Sequence, residues 1–223
     1  MKEFHIAIDG PAGSGKSTIS KQIAHDLGFI HIDTGAMYRA ITYMALLEGI
    51  DLNDEESYHF IERLTITYQD DKIFVDKIDV GEFIRDDLVT KNVSKVASFP
   101  YVRQYLVKVQ REAAQGKKVI MDGRDIGTVV LPKADLKIFL TANIKERSKR
   151  RMLELQEKGF DVDLFSVVKD IEERDKKDSL RKVSPLIIPK DAIIVDTTHY
   201  SIFETVERIK KEIEERGAYY GRE

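Results

Sequence analysis

The chain contains no cysteine, so disulfides and thiolate-held metals are excluded. Its five histidines, His5, His25, His31, His59 and His199, include no pair at metal-ligand spacing and read as structural or surface residues. No apolar run approaches the length that spans a bilayer, and the opening Met1-Lys2-Glu3 does not begin a secretory signal. A cytoplasmic protein that does not engage membranes is the expectation. The formal charge of −3 lacks the basic excess of a protein that coats nucleic acid. Any anion site must therefore be a local cluster of Lys and Arg. Repeats and low-complexity segments are also missing, and 223 residues suit one large domain or a core with one or two insertions.

What the sequence does hold is a nine-residue stretch, Gly10, Pro11, Ala12, Gly13, Ser14, Gly15, Lys16, Ser17 and Thr18, that reads G-x-x-x-x-G-K-[ST]. The apolar run 4–8 precedes it as a strand, and Ile19, Ile23, Ala24 and Leu27 follow at helical spacing. In this context successive backbone N–H groups close around phosphate oxygens, and the positive end of the helix faces the anion. Lys16 is expected to reach the β- and γ-phosphates, and Ser17 to offer its hydroxyl to Mg²⁺. A glycine-rich turn between a core strand and a core helix is the competing reading.

The rest of the chain alternates strand and helix. Gly28 stops the first helix, residues 29–32 form a short strand, and Asp33 and Thr34 are capping types for a helix over 36–48. Residues 65–68, 72–75 and 78–80 read as antiparallel strands joined in part by the polar turn Gln69-Asp70-Asp71, a texture foreign to an alternating core. The rhythm resumes with a helix through 102–113, a strand at 119–121, and a strand at 136–140. Charged helical tracts follow over 144–158 and 163–180, separated by Gly159. A strand at 192–195 and a helix over 202–213 close the pattern, and the polar tail 217–223 is expected to fray. The expectation is an α/β fold with a five-stranded parallel sheet covered on both faces. Its division is a core over 1–60, 93–144 and 182–223, an insertion over 61–92, and lid and acceptor-site helices over 145–181.

Ligands of open parallel sheets gather beyond the carboxyl ends of the strands. Those positions are polar here: the phosphate loop, then Asp33-Thr34 with Arg39 a turn further on, then Asp122-Gly123-Arg124-Asp125. The most basic stretch, 145–151, places Arg147 and Arg151 four residues apart on one helix face, with Arg150 beside them. It is either a solvated face or a mobile lid that closes cations over phosphates, with Gly159 as its hinge. Arg174, Asp178 and Arg181 fall at i, i+4 and i+7, as an ion-pair ladder or as a group that holds a sugar and phosphate. GTPase switches carry D-x-x-G and N-K-x-D, and neither occurs; Asn53, Asn92 and Asn143 are each followed by a residue other than Lys. A phosphotransferase accounts for the surplus of arginines; a non-catalytic nucleotide-gated module is the alternative.

Four blocks, 8–17, 33–39 (Asp-Thr-Gly-Ala-Met-Tyr-Arg), 122–130 (Asp-Gly-Arg-Asp-Ile-Gly-Thr-Val-Val) and 174–181 (Arg-Asp-Lys-Lys-Asp-Ser-Leu-Arg), together resemble the bacterial cytidylate kinase family. The resemblance implies an adenylate-kinase-like fold, with 61–92 as an enlarged monophosphate-binding insertion. It implies a monomer that phosphorylates CMP or dCMP from ATP with Mg²⁺. By the same resemblance Arg39 and Arg124, with Thr34, hold the acceptor phosphate. Ser94, Arg103 and Asp125 match the readers of cytosine, while Arg174, Asp178 and Arg181 match the group around sugar and phosphate. Thr34 stands where some relatives have Ser, which preserves the hydroxyl. Lys16, Arg147 and Arg151 are the expected catalytic cations. A kinase for another monophosphate or small molecule is the runner-up.

Overall fold

The structure is a computed structural model that describes residues 3–69 and 72–217. Strand β1 (Phe4–Asp9) leads through the phosphate loop into helix α1 (Lys16–Leu27), then β2 (Ile30–Asp33) and α2 (Thr34–Leu47). A 3₁₀ segment, Glu55–Arg63, precedes the meander β3 (Ile66–Gln69), β4 (Lys72–Val75) and β5 (Ile78–Asp79). Helices α3 (Asp87–Val96) and α4 (Pro100–Ala114), strand β6 (Lys118–Gly123), a π turn at Ile126–Val130 and strand β7 (Leu136–Thr141) come next. The chain closes with α5 (Ile144–Glu157), α6 (Leu164–Leu180), β8 (Ile193–Asp196) and α7 (Ile202–Glu215).

The main sheet has five parallel strands in the order β2-β6-β1-β7-β8. Its central strands are buried on both faces, and strand alternation sorts their side chains between two cores. Ile6, Ile8 and Ile120 face α1 and α7, packing with Ile23, Val206 and Ile209. Ala7, Val119 and Met121 face α2 and α4, packing with Met37, Ile41 and Leu106. Each fully buried aliphatic side chain removed from water contributes about 1.5–3 kcal/mol against the entropy of ordering it. The meander belongs to the second core: Ile66, Ile73 and Val75 pack into the same cluster as α2, so the insertion is seated on the core helix that carries Arg39.

Boundaries moved for local reasons. Helix α2 starts at Thr34 because the Asp33 carboxylate accepts the Ala36 N–H at 3.0 Å and caps it. Gly28, at φ 68°, ends α1 as expected. The 3₁₀ segment and α3 went unread: α3 turns Val89, Val93 and Val96 inward, and β-branched residues speak for strand rather than helix. The expected turn at Asp70 and Asp71 and the tail beyond Gly217 lie outside the described residues.

Register brings the strand ends level. Asp33 pairs with Asp122, Asp9 with Gly123, and Asp9 with Phe139. The polar segments that follow these strands therefore open on one edge of the sheet.

Helix α7 offers a probe of stability far from that edge. Ser201 accepts the Glu204 N–H while Glu204 accepts the Ser201 N–H, a reciprocal capping box. Ser201→Ala should lower unfolding free energy by about 1 kcal/mol in urea titration while leaving turnover unchanged.

Candidate active site

The phosphate loop is fixed from below and from the side. A Cβ at Gly10 would stand 2.0 Å from the Leu140 carbonyl oxygen, and Gly10 adopts φ 153°, so only glycine fits between β1 and β7. Gly13, at φ 73°, lies so close to α5 that a Cβ would come within 3.0 Å of the Arg147 carbonyl oxygen. Lys16 is buried; its ammonium donates to the Pro11 carbonyl at 2.7 Å and to Ser14 Oγ at 3.3 Å. Burial, with Arg124 and Arg174 adding repulsion, holds its pKa well below the ordinary lysine range, although Asp122 and Asp9 pull the other way.

Ser17 donates to Asp122 Oδ2 at 2.8 Å across the gap between α1 and β6. The other oxygen of that carboxylate bonds His31 Nε2 at 2.7 Å, and the Thr34 hydroxyl donates to the Asp122 carbonyl at 2.8 Å. Thr34 thus braces the end of β6. Asp122 belongs to the polar segment 122–125 that the sequence places at this edge, without a role of its own there, and His31 is one of the histidines read as structural or surface residues.

Five cations face one another on this edge. Burial and the nearby Arg124, Arg39 and Arg151 push Arg174 down to about 9, against the pull of Asp178. Arg39 is lowered by burial and by Arg124, Arg85 and Arg151, with Asp33 opposing. Arg174 Nε is buried without a hydrogen-bond partner. Arg39 and Arg174 thus each feel three other cations against one carboxylate, a setting that favours gripping a multiply charged anion.

Beside this cluster, alternating charges form a connected chain. Arg103 Nη2 donates to Asp125 Oδ2, and Arg103 Nη1 donates to the Ala97 carbonyl at 3.0 Å. The Arg103 guanidinium lies over the Tyr38 ring, 5.2 Å from its centroid. Arg181 stands 3.8 Å from Asp125 Oδ1 and 3.9 Å from Asp178 Oδ1. Arg124 Nε donates to Asp178 Oδ2 at 2.8 Å. Burial drives the Tyr38 phenol up to about 12, with Arg103 opposing and Asp125 adding to the rise. One oxygen of Asp125 is therefore bound by Arg103, while the other keeps accepting capacity beside Arg181 at a distance too long for a hydrogen bond. Ser94 stands half-buried on α3. It is not part of this chain, though the Ala97 carbonyl just past α3 holds Arg103 in place.

Arg147 departs from the expectation of a lid cation poised to sweep over phosphates. It is buried, and it donates to the carbonyls of Ala142 at 2.9 Å and Ala12 at 2.8 Å and to Asp175 Oδ2 at 2.6 Å. Asp175 Oδ1 in turn accepts the Ala12 N–H at 3.1 Å. Ala12 also packs with Val167 and Ile171 of α6, so α5 and α6 clamp the phosphate loop directly. Arg150 is likewise committed, to Thr197 Oγ1 at 2.9 Å and the Thr197 carbonyl at 2.8 Å. Arg151 pairs with Glu154 at 2.9 Å and sits within electrostatic reach of Arg39 and Arg174. Arg147 and Arg151 share a helix face as spacing required, but four residues advance the helix by about 6 Å, which separates a loop brace from a cleft cation.

Among the described residues no group of three or more His, Cys, Asp or Glu side chains could hold a metal, and no helix is long and apolar enough to cross a membrane. The oxygen pair Ser17 and Asp122 fits Mg²⁺ of the kind that takes one or two protein ligands and completes its shell with phosphate oxygens and water.

A sequence model of the family described as "Cytidylate kinase" matches residues 6–215. A cytidylate kinase of Acholeplasma laidlawii is 54% identical over 94% of this chain and 94% of its own length. A second, from Caldanaerobacter subterraneus subsp. tengcongensis, is 52% identical over 93% of each. Among solved structures, a sugar kinase from Janibacter superimposes with a TM-score of 0.51 at 13% identity, covering 99% of this chain and 100% of that one, which speaks for the fold alone. Sequence over nearly the whole length thus agrees with a glycine loop, an arginine-lined edge and a buried Asp125 on a five-stranded parallel sheet: the chain belongs to the cytidylate kinase family.

Proposed function

We propose that this protein transfers the γ-phosphoryl group of ATP to CMP or dCMP, giving ADP and CDP or dCDP. The observation that carries the reading is Asp125, buried between Arg103 and Arg181 in an ion-pair chain that runs on to Arg124. Cytosine presents an amino donor at N4, which the remaining acceptor capacity of Asp125 satisfies; uracil presents a carbonyl there, which the carboxylate repels. A buried carboxylate left facing an acceptor is costly, so a single side chain can discriminate strongly.

Phosphoryl transfer asks little covalent chemistry of the protein. The acceptor is already an anionic phosphate oxygen, so positioning and charge neutralisation do most of the work and no strong base is required. Gly10 to Thr18 cradle the phosphates of ATP, and Lys16 exchanges the Pro11 carbonyl for them. Arg39, Arg124 and Arg174 hold the acceptor phosphate. Crowded cations of this kind gain twice from a bound anion, by attraction and by relief of their mutual repulsion. Arg174 and Arg181, with Asp178, border the sugar, and Ser94 adds a hydroxyl near the base. Ser17 and Asp122 would hold Mg²⁺, which supplies neutralisation of the β- and γ-phosphate charge when bound. Arg151 faces the transferring group, whereas Arg147 serves by holding the loop. The insertion at 61–92 takes the monophosphate side of the cleft, and its closure with α5 and α6 excludes water that would otherwise accept the phosphoryl group.

ADP release measured with ATP, Mg²⁺ and a panel of CMP, dCMP, UMP, AMP, GMP and dTMP tests the reading; slow release indifferent to all six would overturn it. Lys16→Met should reduce kcat by about 10³-fold or more, the range set by losing one preorganised transition-state cation, with circular dichroism unchanged. Asp125→Ala should cut the CMP-over-UMP preference by about 10- to 100-fold and leave the KM for ATP within about threefold. The two lid-helix arginines should separate: Arg147→Ala lowers the melting temperature and raises the KM for ATP, while Arg151→Ala lowers kcat with the melting temperature held.

A further inference from the structure

Asp9 ends β1 immediately before the phosphate loop and is 1% exposed. Its Oδ1 accepts the Ile126 N–H and its Oδ2 accepts the Gly127 N–H, each at 2.7 Å. These are the first amides of the π turn, which have no partner within the turn itself. The residue at the capping position of that turn is Asp125, and aspartate is among the residue types that ordinarily cap by accepting the second or third amide. Asp125 makes no such bond. Its carboxylate turns instead toward Arg103 and Arg181.

We propose that Asp9 is a positioning residue for acceptor recognition: by capping the Ile126–Val130 turn from the neighbouring strand, it frees Asp125 to read the base. This rests on the assignment of Asp125 above and extends it to a residue on the phosphate-loop strand. The fit leaves little room for another arrangement. A Cβ at Gly127 would lie 3.3 Å from Asp9 Oδ2, 3.1 Å from Lys137 Cδ and 3.1 Å from Pro189 Cγ. With Asp9 replaced, the Gly127 amide needs an acceptor, and the carboxylate at the turn's own capping position is Asp125. A carboxylate rotated to cap would be withdrawn from Arg103 and from cytosine.

The charged groups around Asp9 are Lys16 from α1, Asp125 from the turn, and Lys137 from β7, whose ammonium is engaged by Asp191 at 2.9 Å. Burial pushes the Asp9 carboxyl up to about 6, with Asp125 adding to the rise and the two amides and Lys16 restraining it. A carboxyl with a raised pKa is ionised above that value and takes up a proton as the pH falls through it, where it loses one of its two accepting oxygens.

Asp9→Asn is the test, because the amide keeps the volume and one acceptor but points N–H₂ at an N–H. At about pH 8 it should raise the dissociation constant for CMP by on the order of 10-fold and flatten the CMP-over-UMP preference, with the KM for ATP within threefold. Measured from about pH 8 to pH 5, the ratio of variant to parent affinity should shrink toward one below about pH 6; titration of the CMP phosphate cancels in that ratio. The unmodified enzyme gives a second readout that does not depend on the variant folding. The amide ¹H shifts of Ile126 and Gly127 should titrate together with a midpoint near 6. Equal losses of ATP and CMP affinity with specificity intact would reduce Asp9 to a structural support and overturn the proposal, as would Ile126 and Gly127 amide shifts that are the same in Asp9→Asn as in the parent at about pH 8.

Discussion

Repulsion among cations is the constraint that organises this molecule. Arg39, Arg124, Arg151, Arg174 and Lys16 are drawn to one sheet edge, and burial deprives Lys16, Arg39 and Arg174 of much of the water that would screen them. Left alone they would splay. Asp178 and Asp125 thread between the guanidinium groups and hold the spacing, Asp178 binding Arg124 while standing beside Arg181. Burial works against the Asp178 carboxylate, but Arg124 and Arg174 outweigh it and keep its pKa below the usual carboxylate value. Buried ion pairs of this sort add little net stability over an apolar replacement, yet removing one partner costs about 3–5 kcal/mol because the other is stranded. The arrangement specifies geometry more than it stabilises the fold.

That geometry depends on a scaffold whose parts meet at the loop. β1 sits between β6 and β7, so the phosphate loop emerges at the centre of the sheet with Asp122 to one side and Leu140 to the other. The helices that carry the remaining cations are tied to the same loop. Arg147 from α5 and Asp175 from α6 bind the carbonyl and the amide of Ala12 respectively. Arg174, Asp178 and Arg181 lie on or just beyond α6, the helix that also holds the phosphate loop through Asp175. α6 is thus joined to the phosphate loop both by Asp175 and by the packing of Val167 and Ile171 on Ala12.

The sheet and the loop could be read from the sequence because their causes are local. Strands buried on both faces show as apolar runs, and the loop needs its glycines at fixed places. The gathering of Arg39, Arg124 and Asp125 at one edge followed from a general property of parallel sheets rather than from any contact visible in the chain. Periodicity failed where direction along an axis mattered: Arg147 and Arg151 share a face, yet only one meets Ala12. Composition, not periodicity, masked α3: Val89, Val93 and Val96 stand at helical spacing, but β-branched residues lean toward strand. Asp9 was invisible for a different reason. Its partners lie 117 and 118 residues away, and before an N–H·O bond is seen nothing distinguishes it from any aspartate at the end of a strand.

Six aspartates at this edge show how far placement, rather than residue type, sets the role. Asp33 caps α2; Asp122 binds Ser17 and His31; Asp175 holds Ala12; Asp178 spaces arginines; Asp9 caps a turn in another part of the chain. Asp125 alone among them combines a capping position with an uncapping orientation. Asp125 binds Arg103 through one oxygen and leaves the turn amides uncapped, and Asp9 accepts them instead. Under the proposed base-reading role, Asp125 is spared the local bonding because a second acceptor on the strand that feeds the phosphate loop takes it over. Donor and acceptor sides of the cleft are joined here by two hydrogen bonds from one side chain. The register that sets Asp9 opposite Gly123 is what brings its carboxylate to the Ile126 and Gly127 amides.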